Sequence, residues 1–415
     1  MEHLKIVGDF DWTPIVQNIG ELLYDQIRGN ASYSFTFDNS WLQKFKNVLL
    51  SGDLQNFPGP QHKTKSLFAF LSDALPDRWG RRLIEKRERI LADRENRSAK
   101  ALNDFDLLIA LDDFSRIGGL RFKKGDSYVG VDFQSPVPPL AKLREFIHAA
   151  HEYEKSEQSG KATKDEWIFN LFRQGSSLGG ARPKANVIDE NGDLCIAKIP
   201  SVSDDYDVAL WEHFAHCMAR ECKINSAETR LLKLQGIKHH ILLSKRFDRN
   251  GKKRIHFASA MTLTNLKDGC DAFTGNGYLD IVDSIIGETG VSNPDKTLKE
   301  LYRRIAFNIA IGNHDDHFRN HGFLLCREGW KFSPAYDLNP TNNNTQSLLI
   351  SSDSNESSLN ILFKAHSEYM LSRTEAESII GEIREAMKTW RAIATKCGIS
   401  KSEQERFAKR FECGN

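Results

Sequence analysis

The sequence predicts an α+β protein: strands and helices mix in the first part, and helices dominate after Met261. Three observations carry this reading. A helical pattern, a polar loop and a hairpin follow one another between Ile305 and Leu338. A second hairpin over Lys184–Ile199 leads directly into another apolar-striped helix. Beyond Met261 the chain reads mostly helical, apart from the first of these hairpins.

The loop after Ile305 organises the chain. Leu298, Leu301, Tyr302, Ile305 and Ile309 recur at helical spacing, and Gly312-Asn313 is a good stop. Phe323, Leu324 and Leu325, then Arg327-Glu328-Gly329, then Trp330 and Phe332 read as two strands and a turn. A hairpin returns the chain to its start, so Asn320 before it and Asp337 after it share its open end, with Asp315 close by. In protein kinases an Asp accepts the substrate hydroxyl proton, an Asn five residues later binds magnesium, and a further Asp beyond a hairpin binds it too. Asp315, Asn320 and Asp337 have that arrangement, and Mg²⁺ prefers such hard oxygen ligands. The plainer alternative is a polar turn whose side chains cap backbone donors. A different chemistry also stays open: His314, Asp315, Asp316 and His317 as metal ligands of a phosphohydrolase.

The second informative stretch is Gly175-Ser176-Ser177-Leu178-Gly179-Gly180-Ala181-Arg182-Pro183-Lys184. Glycines in a short loop let backbone N–H groups approach phosphate oxygens. It is not a Walker A loop, because Ala181 stands where that motif needs Lys. Lys184–Ile188 and Leu194–Ile199 then read as a hairpin about Asp189-Glu190-Asn191-Gly192. Lys198 lies among apolar strand residues, where an ammonium group needs an anion. The next helix carries Trp211, Phe214, Ala215, Met218 and Cys222 as its core stripe, with Glu212 beside it as the expected ion-pair partner of Lys198. Leu242–Lys245 reads as a strand, and Asp248-Arg249 as residues that either serve a nucleotide-binding cleft or simply close the turn after it, the turn being the plainer reading.

Composition sets wider bounds. The 415 residues allow two or three domains. Charged residues are 27% of the chain but sum to a net charge of +1, so no global field selects nucleic acid or an acidic membrane. Seven cysteines without a CxxC pair, and no long apolar run, fit reduced thiols in a cytoplasm. Tyr33–Phe37 alternates as a strand, and Leu67–Leu71 opens a helical stretch. The run Arg81–Arg97 mixes signs, as on a solvated helix face. A helix is expected over Leu140–Glu154, a mobile polar stretch over Lys155–Lys164, and one last helix over Arg373–Cys397. The domains are drawn at 1–125, 126–255 and 256–415.

With these residues in view, the chain resembles the HipA-type serine/threonine kinase toxins of type II toxin–antitoxin modules. The resemblance rests on Leu75–Gly80, Ser177–Lys184, Ile196–Pro200, Arg246–Arg249, Asp315–Gly322 and Pro334–Leu338. It implies a two-lobed protein-kinase-like fold with an added N-terminal region, using ATP and Mg²⁺. It makes Asp315 the catalytic base, His317 a residue packed near it, Asn320 and Asp337 the magnesium ligands, and Lys184 and Lys198 nucleotide contacts, alongside Gly179 and Gly180 of the loop. It further implies autophosphorylation at Ser177, with Ser176 adjacent, which silences the enzyme. A HipB-like helix-turn-helix antitoxin, operator DNA bound through that complex and an aminoacyl-tRNA synthetase as substrate are the implied partners. An inactive corepressor module is the remaining alternative. The family's usual Thr-Asn-Thr before the base is Gly312-Asn313-His314 here, which leaves His314 without an assigned role.

Overall fold

Tyr33, Phe35 and Phe37 alternate inward along the strand Asn30–Phe37, and this period of two builds the first sheet. The computed structural model describes residues 1–415 except 28, 77, 132–136, 161–162, 176–181, 288 and 413–415. The sheet has six strands, in the order Pro60–Thr64, Asn30–Phe37, Gln17–Ile27, Glu2–Gly8, Leu120–Lys124 and Ser127–Tyr128. Every neighbouring pair is antiparallel. The chain divides into two compact units, and this sheet lies in the first, formed by Met1–Leu49, Asp53–Tyr206 and Leu232–Phe257. The second comprises Leu50–Gly52, Asp207–Leu231 and Ala258–Asn415. Residues 50–52 and 207–231 thus fall in the second unit, and the rest of 1–257 in the first.

A common core joins helices of the first unit to its second hairpin. Trp79 and Leu83 of the helix Arg78–Arg94 pack with Phe146, Ile147 and Tyr153 of the helix Leu143–Ser159. Ala185, Val187, Cys195 and Ala197 of the hairpin Lys184–Ile188/Leu194–Lys198 complete the same cluster. The mixed-sign run on the first helix is a solvated, ion-paired face, with Lys86 on Glu157 and Arg94 on Asp165. Pairs this exposed contribute little to stability. The stretch 155–159, expected to be mobile, is helical instead. Tyr153 and Ser156 are buried and carry the inward stripe onward until Gly160 ends the helix in a left-handed conformation (φ 67°).

Arg246 and Asp248 do more than close a turn. Asp248 is 2% exposed and accepts from Arg246 Nε (2.8 Å), Arg249 Nη1 (2.6 Å) and the Gly118 amide (2.8 Å). Arg246 also donates to the Ser115 and Arg116 carbonyls and to Asn186 Oδ1. One buried carboxylate thus ties the segment after the second hairpin to the loop before Leu120–Lys124. Burial alone would raise the Asp248 pKa; the two guanidiniums outweigh it and hold the group well below the usual carboxylate range.

In the second unit, the helix Val208–Glu221 buries Trp211, Phe214, Ala215 and Met218. The helices Tyr278–Ile286, Pro294–Ile311, Leu359–Lys364, Arg373–Met387, Trp390–Lys396 and Lys401–Glu412 supply most of the remainder. The expected helix over Arg373–Cys397 is in fact two, broken at Lys388-Thr389. The break turns Trp390 inward, where its ring stands edge-on to Phe411 at 5.0 Å. Residues 333–358 are not helical either; they form an irregular segment held by isolated bridges such as Thr345 to Glu356.

The guanidinium–carboxylate lock sets a stability test. Asp248→Asn leaves two buried cations without their counter-charge and should lower the unfolding free energy by about 3 kcal/mol. Lys245→Ala, on the exposed neighbour, should change it by less than about 0.5 kcal/mol, both read from denaturant midpoints.

Candidate active site

The helix Pro294–Ile311 starts on Asn293, whose side chain accepts from the Lys296 amide, with Pro294 at the first position. It stops at Gly312 (φ 73°), where a Cβ would lie 2.7 Å from the Thr341 carbonyl oxygen. Only glycine fits there. The loop that follows is fixed from inside by Asp316. Its Oδ2 accepts from Tyr278 Oη (2.7 Å) and Asn308 Nδ2 (2.6 Å) and meets His321 Nε2 at 3.0 Å. Burial would push this carboxyl up, but His321 and then the Tyr278 hydroxyl prevail, so its pKa is lowered and it stays ionised.

Burying Asp316 turns its neighbour outward. Asp315 is exposed, and Asn320 Nδ2 donates to the Asp315 backbone oxygen at 2.9 Å. That bond orients the amide and leaves Asn320 Oδ1 on the other side as a hard oxygen donor. The hairpin Gly322–Cys326/Gly329–Phe332 pairs Leu325 with Trp330 and Cys326 with Gly329, as the turn residues require. Its open end closes through the Ser333 amide on the Gly322 carbonyl and Tyr336 Oη on the Arg319 carbonyl. Residues 319 and 336 are therefore in contact, one position before Asn320 and Asp337.

Asp337 has a left-handed backbone (φ 58°), uncommon for a residue other than glycine, and its Oδ1 accepts from Asn339 Nδ2 at 3.1 Å. Its charge reaches Asp315. The Asp315 pKa is raised, first by partial burial and then by Asp337 and Asp316, with His317 pulling the other way. A carboxylate held reluctant to ionise is a better proton acceptor. His317 is half-buried, and its buried Nδ1 has no hydrogen-bond partner among the described residues. Asp315, His317, Asn320 and Asp337 are thus brought together.

The other candidates are placed as follows. Lys184 and Lys198 face each other across the first unit's hairpin, with Ala185 opposite Ala197 on the reverse, core-facing side. Two ammonium stems thus share one face at adjacent positions. Glu212 belongs to the second unit; it is 3% exposed, with Oε1 3.9 Å from His216 Nε2. Ser176, Ser177, Gly179 and Gly180 lie outside the described residues.

His314 has a structural partner that the sequence did not reveal. Arg410 Nη2 approaches its Nε2 at 2.9 Å, and its Nδ1 meets Thr341 Oγ1 at 2.8 Å. The helix Lys401–Glu412 thereby grips the loop beside Asp315. Burial and then the Arg410 charge push the His314 pKa down to about 4. His314 thus has both ring nitrogens engaged by protein groups, which does not suit the phosphohydrolase ligand set. Sequence reasoning also missed Tyr278, Asn308 and His321. Only Asn308 left a trace, as a polar residue on an otherwise apolar helical stripe.

Two tests follow from this loop. Asp316→Ala should cost about 3 kcal/mol of unfolding free energy, whereas Asp315→Asn should cost less than about 0.5 kcal/mol, because only the first removes a buried ionic node. For His314, the folded pKa lies below the ordinary value of 6.5, so its contribution to stability is full above pH 6.5 and is lost as pH falls toward 4. His314→Asn, which cannot titrate, should show a smaller drop in denaturant midpoint than wild type between pH 7.5 and pH 4.5.

Comparison with known proteins places this architecture. Residues 176–390 match the family described as HipA-like C-terminal domain, and residues 16–113 match the HipA N-terminal domain. A Haemophilus influenzae protein described as "Putative kinase" is 28% identical over 184 residues, which are 40% of this chain and 53% of that protein. The chain thus spans about half the length of this curated relative. HipA of Shewanella oneidensis MR-1, solved with HipB and its operator DNA, superposes with a TM-score of 0.69 at 16% identity. That match covers 99% of this chain and 95% of the other, and it shows that the α+β, kinase-like fold expected from the sequence is the one adopted. With more than half of its length matched by the C-terminal family alone, the chain belongs to the HipA family.

Proposed function

We propose that this protein is an ATP-dependent serine/threonine protein kinase that acts as a HipA-like growth-arrest toxin. The observation that carries the reading is the conjunction at the hairpin's open end. An outward carboxylate with a raised pKa, Asp315, stands beside a second carboxylate, Asp337, and an oriented amide, Asn320. This donor set fits Mg²⁺, because two carboxylates that disfavour each other's charge, with an amide oxygen nearby, offer hard ligands to a small dication. Bound there through Asn320 and Asp337, the ion would neutralise phosphate charge.

The chain's own residues have distinct tasks in this reading. Asp315 accepts the proton of the attacking hydroxyl as that oxygen bonds to the γ-phosphorus and the bond to the β–γ bridging oxygen breaks. Asn320, through its bond to the Asp315 backbone, keeps the base in register with the metal-binding positions. Lys184 and Lys198, directly opposed across the hairpin, would supply positive charge to nucleotide phosphates. His317, with its Nδ1 unmatched, tunes Asp315 by its charge. Phosphorylation of Ser177 or Ser176 adds negative charge to a loop suited to phosphate and would silence the enzyme.

The partners belong to the same proposal. The related Shewanella protein was solved with HipB and operator DNA, so a HipB-like antitoxin and an operator bound through it are expected here. The protein substrate is an aminoacyl-tRNA synthetase by resemblance. Among the described residues no helix is long and apolar enough to cross a membrane, and no membrane partner is proposed.

Incubation of the pure protein with Mg²⁺ and labelled ATP should give self-labelling that maps to Ser177 or Ser176. Asp315→Gln should reduce the rate at least about 100-fold. Equal labelling of the variant and wild type would remove Asp315 from the role of base. Labelling that persists in the Ser176→Ala/Ser177→Ala double variant would move the acceptor elsewhere.

A further inference from the structure

A cluster in the second unit has no part in phosphate transfer. His213 and Cys217 stand one turn apart on the helix Val208–Glu221, on the same face, with His213 Nε2 3.8 Å from Cys217 Sγ. Cys397, which ends the helix Trp390–Lys396, joins them. One ligand atom from each of the three lies within 4.8 Å of the other two. All three side chains are half-buried, so an ion could reach them from solvent.

We infer that His213, Cys217 and Cys397 form a zinc site that fastens the helix Val208–Glu221 to the C-terminal helices. Tetrahedral zinc with Zn–S of about 2.3 Å and Zn–N of about 2.1 Å places a bound sulfur and nitrogen about 3.6 Å apart, close to the separation found here. The imidazole is already oriented for the task. Its Nδ1 is 2.9 Å from Thr229 Oγ1, a buried hydroxyl. Donation from Nδ1 to that hydroxyl leaves the Nε2 lone pair facing the two sulfurs, the arrangement by which outer groups fix a ligating histidine.

Charge is balanced as well. Two thiolates and one Zn²⁺ sum to zero, so Arg220, whose Nη2 lies 3.9 Å from Cys217 Sγ, is tolerated beside the site. Soft sulfur with imidazole selects zinc over magnesium or calcium. Binding releases the two thiol protons to solvent and changes no oxidation state. Three protein ligands leave a fourth position for water. This inference does not depend on the kinase reading, since none of the three residues belongs to the loop after Gly312.

Cobalt tests it directly. The full-length protein, reduced and freed of metal, is titrated with Co²⁺, which reports thiolate ligation through near-ultraviolet charge-transfer absorption and tetrahedral geometry through visible d–d bands. One equivalent should bind, be displaced by Zn²⁺, and raise the melting temperature. Cys217→Ser and Cys397→Ser should each lose the charge-transfer band or most of it, while Cys222→Ser, on the same helix but outside the cluster, should retain it. Should the serine variants fold poorly, Cys397→Asp preserves a ligating group and should still bind Co²⁺ with a weaker band. A wild-type protein that gives no thiolate band overturns the proposal. So does a band that survives loss of both cysteines, or a Cys217–Cys397 disulfide in a protein whose reduced form takes up no cobalt.

Discussion

The buried carboxylate of Asp316 is the constraint on which the candidate site depends. It gathers a tyrosine from one helix, an asparagine from the next and a histidine from just before a strand onto a single oxygen. A buried charge is tolerated only when it is this well surrounded. Burial alternates along His314, Asp315 and Asp316, so that with Asp316 held inward Asp315 faces outward. The exposed carboxylate thus inherits its position from a neighbour that performs no chemistry.

Both units use the same device. In the first, Asp248 collects two guanidiniums and a backbone amide, and so joins segments that are more than a hundred residues apart in the chain. In each case a rigid polar node stands behind groups that carry charge at a surface. Under the proposed function, rigidity matters there because phosphate transfer relies on positioning and fixed charge more than on covalent participation by the protein.

What could be read from the sequence follows the range of the forces involved. The helix Pro294–Ile311, its stop at Gly312 and the hairpin over Gly322–Phe332 are set by periods of 3.6 and 2 and by one turn, all local signals. The facing of Lys184 and Lys198 follows from the same hairpin logic. The node on Asp316 could not be read, because Tyr278 is 38 residues away and nothing near it signals a partner. Arg410 is 96 residues from His314 and sits on a helix beyond the last one anticipated. The break at Lys388-Thr389 also escaped, since the demand to bury Trp390 against Phe411 arises only in three dimensions.

Gly312 also marks where the long helix, the irregular segment after Asp337 and the C-terminal helix converge. A side chain there would meet the Thr341 carbonyl and the Arg410 side chain, and both of these residues also hold His314, Thr341 through its hydroxyl. A single absent methyl therefore lets three distant parts of the chain close on one another like the leaves of an iris. As far as folding is concerned, this loop has freedom on its outward rim and none at its pivot.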